Sequence, residues 1–255
     1  MGNRRDFLAQ AITAICHRLD QKGWVANHDG NVSLRFDDYL LATPTAISKA
    51  DMEPALVLTL DMEGNKLEGI GKPFSEIKLH LAAYRARADV NAVVHAHSPF
   101  AMARGMVGGD FFVQVPEAVV SIGAVIPVLP YVKTGAKENE TLIQQALVGS
   151  DVVMMAGNGV LAVGRDVQEA YLRMELLEHL LKIDYYARTM GTPMTLPVQD
   201  RQSLMEKRAA LGFVVPGGVV SPIEPTGSGV AVSGDQNQMI KDLIAQELKK
   251  VLQQK

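Results

Sequence analysis

The spacing of apolar residues near the start of the chain predicts an opening helix. These residues recur every three or four positions and share one face, which we expect to pack on the core, and Gly23 ends the helix. The positions are Phe7, Leu8, Ala11, Ile12, Ile15 and Leu19. Short apolar runs broken by turn residues follow over 31–62 and predict the first strands of a sheet.

Helical and strand patterns then alternate along the chain. The stretch SEIKLHLAAYRAR, residues 75–87, predicts a helix with Ser75 as its cap, and NAVVHAH predicts the strand after it. Further strands are predicted at 124–129, 151–155 and 160–163, and further helices at 137–148 and 166–190. Because the strand runs are apolar on both faces, we expect an α/β fold, a three-layer α/β/α sandwich. Hairpin-like pairs early in the chain predict a mixed central sheet.

The composition changes near the end of the predicted catalytic-sized domain, which spans 1–213. Residues 214–235 concentrate Gly, Pro and Ser with almost no charge, and this composition is typical of a flexible linker. Residues 236–255 place apolar side chains on one helical face and Lys, Asp and Gln on the other, which predicts an amphipathic helix.

The overall composition narrows the functional classes. The chain has 255 residues, 47% of them hydrophobic, and a formal net charge of −3, so it lacks the basic character of a nucleic-acid-binding protein. No apolar run approaches the roughly 18 residues of a membrane span. Cys16 is the only cysteine, which excludes an internal disulfide and favours a reducing compartment. We expect a soluble, cytoplasmic protein that binds a small molecule and neither nucleic acid nor membrane.

The strongest chemical signal is the pair His95 and His97 at the end of an apolar strand. Residues two apart on a strand point to the same face, so both imidazoles can approach one divalent cation. The alternative is two polar groups satisfied by hydrogen bonds. Glu76 and His80, four apart on the preceding helix, share a face and could bring a carboxylate to the strand end, although alone they would suggest a surface pair.

Several motifs occur in an order that resembles the class II aldolase/adducin family over residues 5–190. GNVSLR at 30–35 is similar to a Gly-Asn-x-Ser phosphate loop, and LLATPTA at 40–46 to its Thr-Pro-Ser/Thr-Gly partner. The segment from KPFSEIKLH to VVHAHSPFA resembles the signature helix and strand. LPYVKTGAKE at 129–138 resembles the segment with the catalytic tyrosine, and GNGVLAVG at 157–164 the turn that usually contains Asn-His-Gly.

The resemblance implies roles for the candidate catalytic residues. His95 and His97 would bind a catalytic divalent ion, commonly zinc in the aldolases, with manganese or another ion as alternatives. Glu76 would be the acid/base, and Tyr131 a proton donor reached across a subunit interface. Such an ion holds the carbonyl and hydroxyl oxygens of a ketose and stabilises the enediolate left by carbon–carbon cleavage, while a nearby carboxylate moves the proton.

The resemblance also implies a phosphate site at Asn31, Thr45 and Ser75, with two departures from the family pattern. Ala46 replaces a glycine, and Phe74 replaces a serine. Because a phenylalanine side chain donates no hydrogen bond, the phosphate would lose one contact. Some family members that decarboxylate aromatic or keto acids also carry the Phe-Ser-Glu form.

The third metal ligand is the main departure. Catalytic zinc sites usually have three protein ligands, and the family's third histidine falls where this chain has Asn158. We predict that His179 supplies the missing imidazole, with Asn158 itself and His28 as the alternatives. The competing interpretation of His179 is a helix residue held by Glu175, four positions earlier.

The resemblance predicts a homotetrameric lyase that cleaves a ketose 1-phosphate, such as L-fuculose or L-rhamnulose 1-phosphate, into dihydroxyacetone phosphate and lactaldehyde. The alternatives are a metal-dependent decarboxylase of a keto or aromatic acid and a non-catalytic, adducin-like interaction module.

For residues 236–255 we consider two roles. One is an arm that packs on a neighbouring subunit of the tetramer. The other is a segment that docks on shell proteins of a bacterial microcompartment, because a short helix with one apolar face at the end of a flexible linker resembles an encapsulation peptide.

Overall fold

The computed structural model describes residues 2–133 and 135–214. The predicted C-terminal helix, and all but the first residue of the predicted linker, lie outside these residues. The helices are α1 (Gly2–Gln21), α2 (Ile77–Ala86), α3 (Pro99–Val107), α4 (Pro116–Ile122), α5 (Lys137–Leu147), α6 (Val167–Met190) and α7 (Val198–Ala210), with short 3-10 turns at Lys49–Asp51 and Pro54–Leu56. None of the helices within the described ranges has the length and hydropathy that a membrane crossing requires.

The strands of the described residues form one large sheet and one small sheet. They are β1 (Asn31–Phe36), β2 (Tyr39–Ala42), β3 (Leu58–Leu60), β4 (Lys66–Glu68), β5 (Ala92–Ala96), β6 (Phe111–Phe112), β7 (Val125–Ile126), β8 (Val128–Leu129), β9 (Val152–Met155) and β10 (Val160–Gly164). The eight-stranded sheet has the order β4-β3-β2-β1-β5-β10-β9-β8, antiparallel except for the parallel pair β8–β9, and β6 pairs with β7. The predicted mixed sheet is confirmed.

An apolar core covers each face of the large sheet. Because successive strand residues point to opposite faces, Val94 of β5 belongs to the core built with α1 and α6, whereas Val93 belongs to the core built with α2 and α5. This arrangement is the predicted α/β fold with helices on both sides. His95 alternates with Val94 and therefore points to the α2 side, where Glu76 occupies the N-cap position of the helix.

Several boundaries differ from the prediction. Helix α2 begins at Ile77 with Glu76 rather than Ser75 at the cap position, and β5 ends at Ala96, so His97 lies just beyond the strand. The single strand predicted at 124–129 is interrupted at Pro127, which separates two short strands that belong to different sheets. Proline lacks the backbone N–H that a continuous central strand needs.

Candidate metal centre and active site

Three strand ends meet at one edge of the large sheet. Because β5 runs antiparallel to both neighbours, the start of β1, the end of β5 and the start of β10 lie together, and His95 is paired in register with Asn31 and with Leu161. Glu76, at the start of α2, lies against this edge. The strand and helix predicted separately from the sequence thus bring Glu76 to His95.

Glu76 is the centre of a hydrogen-bonded cluster. Its Oε2 lies 3.3 Å from Nε2 of His95 and accepts a 3.1 Å hydrogen bond from Nδ2 of Asn31. Its Oε1 accepts a 2.6 Å hydrogen bond from Nδ2 of Asn158. Burial disfavours the ionised form, but the charge of His95 and the two amide donors outweigh burial, so the pKa of the Glu76 carboxyl lies well below its usual range.

The two histidines are oriented through their Nδ1 atoms. Nδ1 of His95 donates to the backbone oxygen of Val160 at 3.0 Å, which leaves Nε2 directed at Glu76. Nδ1 of His97 lies 3.2 Å from Oδ2 of Asp29, and its Nε2 is buried with no hydrogen-bond partner among the described residues. The ring centroids are 5.1 Å apart. A carbonyl or carboxylate on one ring nitrogen is the usual arrangement of a histidine whose other nitrogen binds a metal.

Charge distinguishes the two rings in the absence of a metal. Burial would lower the pKa of His95, but the neighbouring Glu76 carboxylate outweighs burial and raises it. Burial, together with the charge of His95, lowers the pKa of His97. The two shifts favour a proton on His95, beside the carboxylate, over one on His97, and a divalent ion bound there would compete with that proton.

This donor set fits a divalent cation, although the side chains do not form a complete cage. Within residues 2–133 and 135–214, no group of three His, Cys, Asp or Glu side chains is gathered at metal-binding distances. Two buried imidazole nitrogens without a hydrogen-bond partner among the described residues, and one carboxylate, are nevertheless ligands that zinc and manganese accept.

The turn between β9 and β10 has no space for a side chain at Gly159. A Cβ there would collide with the backbone oxygen of Ala96 and lie 2.8 Å from Cδ2 of His97, and φ is +74°. The absence of a side chain at Gly159 therefore lets the turn pack closely against the end of β5 and against His97. Tyr131, which is 73% exposed, lies beside the same turn, because a Cβ on Gly157 would be 3.7 Å from its ring.

Thr45 and Ser75, two of the residues predicted to bind phosphate, lie on adjacent loops. The backbone N–H of Thr45 donates to the oxygen of Lys72 at 2.9 Å, and Pro44 bridges to Pro73, so the hydroxyls of Thr45 and Ser75 are exposed on adjacent loops. Ala46, in place of glycine, has a left-handed φ of +61°.

The side chain of Phe74 points away from the loops that carry Thr45 and Ser75. Its ring is buried against the imidazole of His80, with centroids 4.8 Å apart. Asn31 is buried as well, and its amide donates to Glu76.

The structure does not bring His179 to the cluster. Helix α6 places Glu178 inward, where its carboxylate accepts hydrogen bonds from the backbone N–H groups of Phe100 and Ala101, and His179 consequently faces outward. It lines a separate surface cavity of about 670 Å³ with Trp24 and Phe100. Glu175, its expected partner, instead pairs with Lys22 and Tyr171.

His28 is exposed in the loop before β1, and the neighbouring residue makes the contact instead. Asp29, which the sequence interpretation missed, contacts His97, and its other oxygen accepts a hydrogen bond from the N–H of Ala26 at 2.7 Å. Its position just before the Gly-Asn motif is the signal that could have indicated it. His17 bonds the backbone oxygen of Met52 and has a structural role.

Comparisons with known proteins agree with this architecture. Residues 10–185 match the class II aldolase and adducin N-terminal domain. The 5-deoxy-D-ribulose 1-phosphate aldolase of Bacillus thuringiensis is 27% identical over 205 residues, which are 80% of this chain and 96% of that protein. The 3-oxo-tetronate 4-phosphate decarboxylase of Escherichia coli is 31% identical over 182 residues, 69% of this chain and 85% of that protein.

A solved structure of an L-fuculose 1-phosphate aldolase superposes with a TM-score of 0.72 and 25% identity, over 78% of this chain and 95% of that chain. Class II aldolases are metal-dependent carbon–carbon lyases, and the predicted enzyme class is confirmed. The chain belongs to the class II aldolase and adducin family.

Proposed function

We propose that this enzyme cleaves a ketose 1-phosphate, such as L-fuculose or L-rhamnulose 1-phosphate, into dihydroxyacetone phosphate and lactaldehyde. The observation that carries the proposal is the Glu76 carboxylate 3.3 Å from Nε2 of His95, together with His97, whose ring centroid is 5.1 Å from that of His95 and whose Nε2 has no hydrogen-bond partner among the described residues. The metal-dependent aldolases among its relatives support it.

His95 and His97 are the residues proposed to bind a divalent ion, which we take to be zinc. When bound, the ion polarises the substrate oxygens and stabilises the negative charge that develops as the carbon–carbon bond breaks. Val160 and Asp29 orient the two rings through Nδ1, so that little rearrangement is needed on binding.

The phosphate is proposed to bind the adjacent loops that carry Thr45 and Ser75. Both hydroxyls are exposed there and can donate to phosphate oxygens. Asn31 stands at the start of β1, in register with His95, and its Oδ1 has no hydrogen-bond partner in the described part of the chain. It is therefore placed to accept a hydrogen bond from a substrate hydroxyl.

Two groups can transfer protons at this site. The ionised carboxylate of Glu76 can accept a proton from a substrate hydroxyl, and the exposed hydroxyl of Tyr131 can donate one, from the same subunit or a neighbour. The second option requires the proposed homotetramer. Exposed apolar side chains support such an interface, among them Met106, Val107 and Met190.

A second candidate is decarboxylation of a phosphorylated 3-oxo acid. The decarboxylase relative of E. coli, at 31% identity, favours it. Both reactions leave an enediolate, so the same metal site could serve either one.

Product analysis separates the candidates. Purified enzyme is incubated with zinc or manganese and with each of two substrates, L-fuculose 1-phosphate and 3-oxo-tetronate 4-phosphate. Lactaldehyde and dihydroxyacetone phosphate in equal amounts would support the aldolase, whereas carbon dioxide from the second substrate alone would overturn it in favour of the decarboxylase.

For the C-terminal segment we propose attachment to microcompartment shell proteins through residues 236–255, on the sequence pattern alone. Co-purification of shell proteins that is lost when residues 215–255 are deleted would support this role. Unchanged co-purification would contradict it, and a loss of the tetramer would instead indicate an arm between subunits.

A further inference from the structure

Lys49 is a buried cation in contact with the loop that precedes β1. Its side chain lies in a residue that is only 2% exposed. Nζ donates to the backbone oxygen of Ile47 at 3.1 Å and to that of His28 at a longer 3.5 Å. A lysine is almost never fully buried without a partner, because its ammonium group loses its hydration there. The burial of Lys49 therefore indicates more than packing.

Asp29, the residue after His28, supplies the opposing charge. Burial lowers the pKa of Lys49, and Cys16 and Asp29 oppose that shift. Because burial raises the pKa of the Cys16 thiol to about 12, the thiol is neutral near pH 7. The negative charge that favours the ammonium form of Lys49 therefore comes from Asp29.

The same aspartate makes the contact that orients His97. Oδ2 of Asp29 lies 3.2 Å from Nδ1 of His97. On the far side of Asp29, the loop packs tightly on the sheet, since a Cβ on Gly30 would lie 3.0 Å from a backbone oxygen of β5. On the near side, Lys49 bonds the backbone oxygen of His28. The two attachments together fix the place from which Asp29 reaches the imidazole.

We propose that Lys49 is a positioning residue of the metal centre, which holds the loop at His28 and thereby keeps Asp29 against Nδ1 of His97. The inference rests on the proposed function only in taking His97 as a metal ligand. A partner fixed at Nδ1 sets the orientation of Nε2, and loss of such a supporting contact typically weakens metal binding by about 10- to 100-fold.

A double-mutant cycle with Asp29 tests this role. Zinc is titrated by calorimetry into the metal-free full-length wild type, Lys49→Met, Asp29→Ala and the double variant. Methionine has a similar length and volume but lacks the charge and the donor. Lys49→Met should weaken zinc binding about tenfold in the wild-type background. In the Asp29→Ala background it should change the affinity less than about twofold, because the contact that Lys49 supports is already gone.

Other roles for the lysine predict different results. A nearby cation repels a metal ion, so a lysine that acted by its charge alone would give a higher zinc affinity in both backgrounds when replaced. A lysine that only stabilised the fold would leave the affinity of the folded variant unchanged. Either result, or equal losses in the two backgrounds, would overturn the proposal. Lys66→Met, which removes a lysine bonded to the backbone oxygen of Gly71 at an exposed site, should leave the affinity unchanged.

Nuclear magnetic resonance of the metal-free protein gives a readout that needs neither metal nor substrate. The ring Nδ1–H of His97, assigned by its loss in His97→Gln, should exchange slowly with water in the wild type and faster in Lys49→Met. Unchanged exchange would contradict the positioning role. A wild type that shows this difference but binds no zinc would overturn the proposed function alone.

Urea unfolding verifies that each variant is folded. If Lys49→Met does not fold, Lys49→Gln takes its place, because glutamine removes the charge and keeps an N–H donor on a shorter side chain. The same pattern of losses is expected, with about tenfold weaker zinc binding only where Asp29 is present. An unchanged affinity in folded Lys49→Gln would overturn the role.

Discussion

Residues at the sheet edge differ in how well they tolerate substitution, and the two glycines on either side of Asn158, Gly157 and Gly159, illustrate this. Both have a left-handed φ near +70°. A Cβ on Gly157 would make only an ordinary 3.7 Å contact with Tyr131, whereas one on Gly159 would press on His97 and on the backbone of β5. Backbone strain is therefore common to the two positions, and the collision is specific to one.

We expect Gly159→Ala to displace His97 and to weaken metal binding at least about tenfold, with a clear loss of thermal stability. The matched variant Gly157→Ala should cost about 1 kcal/mol of unfolding free energy and leave metal affinity near wild type. Calorimetry and thermal melts of the two proteins measure this. Equal affinities for the two variants would contradict the proposed place of His97 in the site.

Asp29 allows a second test at the residue scale. Asp29→Asn keeps an oxygen that can accept from Ala26 but removes the charge beside Nδ1 of His97, so we expect metal affinity to fall by about 10- to 100-fold. Asp61→Asn is the control, because Asp61 accepts similar backbone hydrogen bonds in a turn where its partners are Glu63 and Asn65. Retention of full affinity in Asp29→Asn would show that His97 is oriented by something else.

At the scale of elements, β1 and α2 are joined by polar contacts that lead away from the site. Alternate residues of β1 meet every fourth residue from the start of α2: Asn31 bonds Glu76, Ser33 bonds His80 and Tyr84, and Arg35 bonds the backbone of Tyr84. Residues on one face recur at every second position in a strand and at about every fourth position in a helix. The polar faces of β1 and α2 therefore stay in contact along their length. Burial, with the charge of His95, lowers the pKa of His80 to about 3.

This shift predicts how stability depends on pH. His80 stays neutral in the folded, metal-free protein, whereas the unfolded chain takes up a proton below about pH 6.5. The unfolded state then binds more protons, so stability should fall as pH drops from about 6.5 towards about 3, with His80 contributing up to about 1.4 kcal/mol per unit. Urea unfolding of His80→Asn should show a shallower fall, and an unchanged slope would contradict the neutral His80.

The predictability of these elements depends on whether their buried faces are apolar. The strand VVHAH and helices α2 and α6 were predicted because apolar residues mark their faces, and with them came the meeting of Glu76 and His95. Helix α7 was not predicted, because two arginines, Arg201 and Arg208, occupy buried positions. Helix α4 is seven residues long and contains a Val-Val pair that favours a strand.

The site residues show the same limit. His95 and Glu76 follow from strand and helix periodicity, but Asp29 reaches His97 through a loop whose path no periodicity gives. His179 was predicted as a ligand from its residue type. Neighbouring residues of a helix point in different directions, and in α6 it is Glu178 that faces inward. Asn158 is a visible departure from the family pattern, but its hydrogen bond to Glu76 joins residues 82 positions apart, and no sequence pattern indicates it.

Across the whole molecule, the buried carboxylate of Asp151 connects distant segments. Arg87 after α2, Arg173 of α6 and Arg208 of α7 all contact it, the first two at 2.7 and 3.3 Å. Arg208 also donates to the backbone oxygens of Val120 and Ser121 and thereby holds α7 against α4. This network lies apart from the histidines and contributes to the frame that supports them.

We expect Arg208→Ala to lower the free energy of unfolding by about 3–5 kcal/mol, because it leaves buried acceptors without their donor. Arg188→Ala, which breaks an exposed ion pair with Asp184, should cost less than about 0.5 kcal/mol. Urea unfolding measures both, and the metal affinity of folded Arg208→Ala should be close to wild type. Similar costs for the two variants would show that α7 does not depend on this network.

The most direct test of the central claim titrates a divalent ion into metal-free enzyme while aldehyde release from L-fuculose 1-phosphate is followed. Activity should be absent without metal, rise linearly, and level off at one ion per chain, and a His95→Ala, His97→Ala protein should stay inactive at every metal concentration. Aldehyde release that persists in the metal-free enzyme, or in the double variant, would contradict the account.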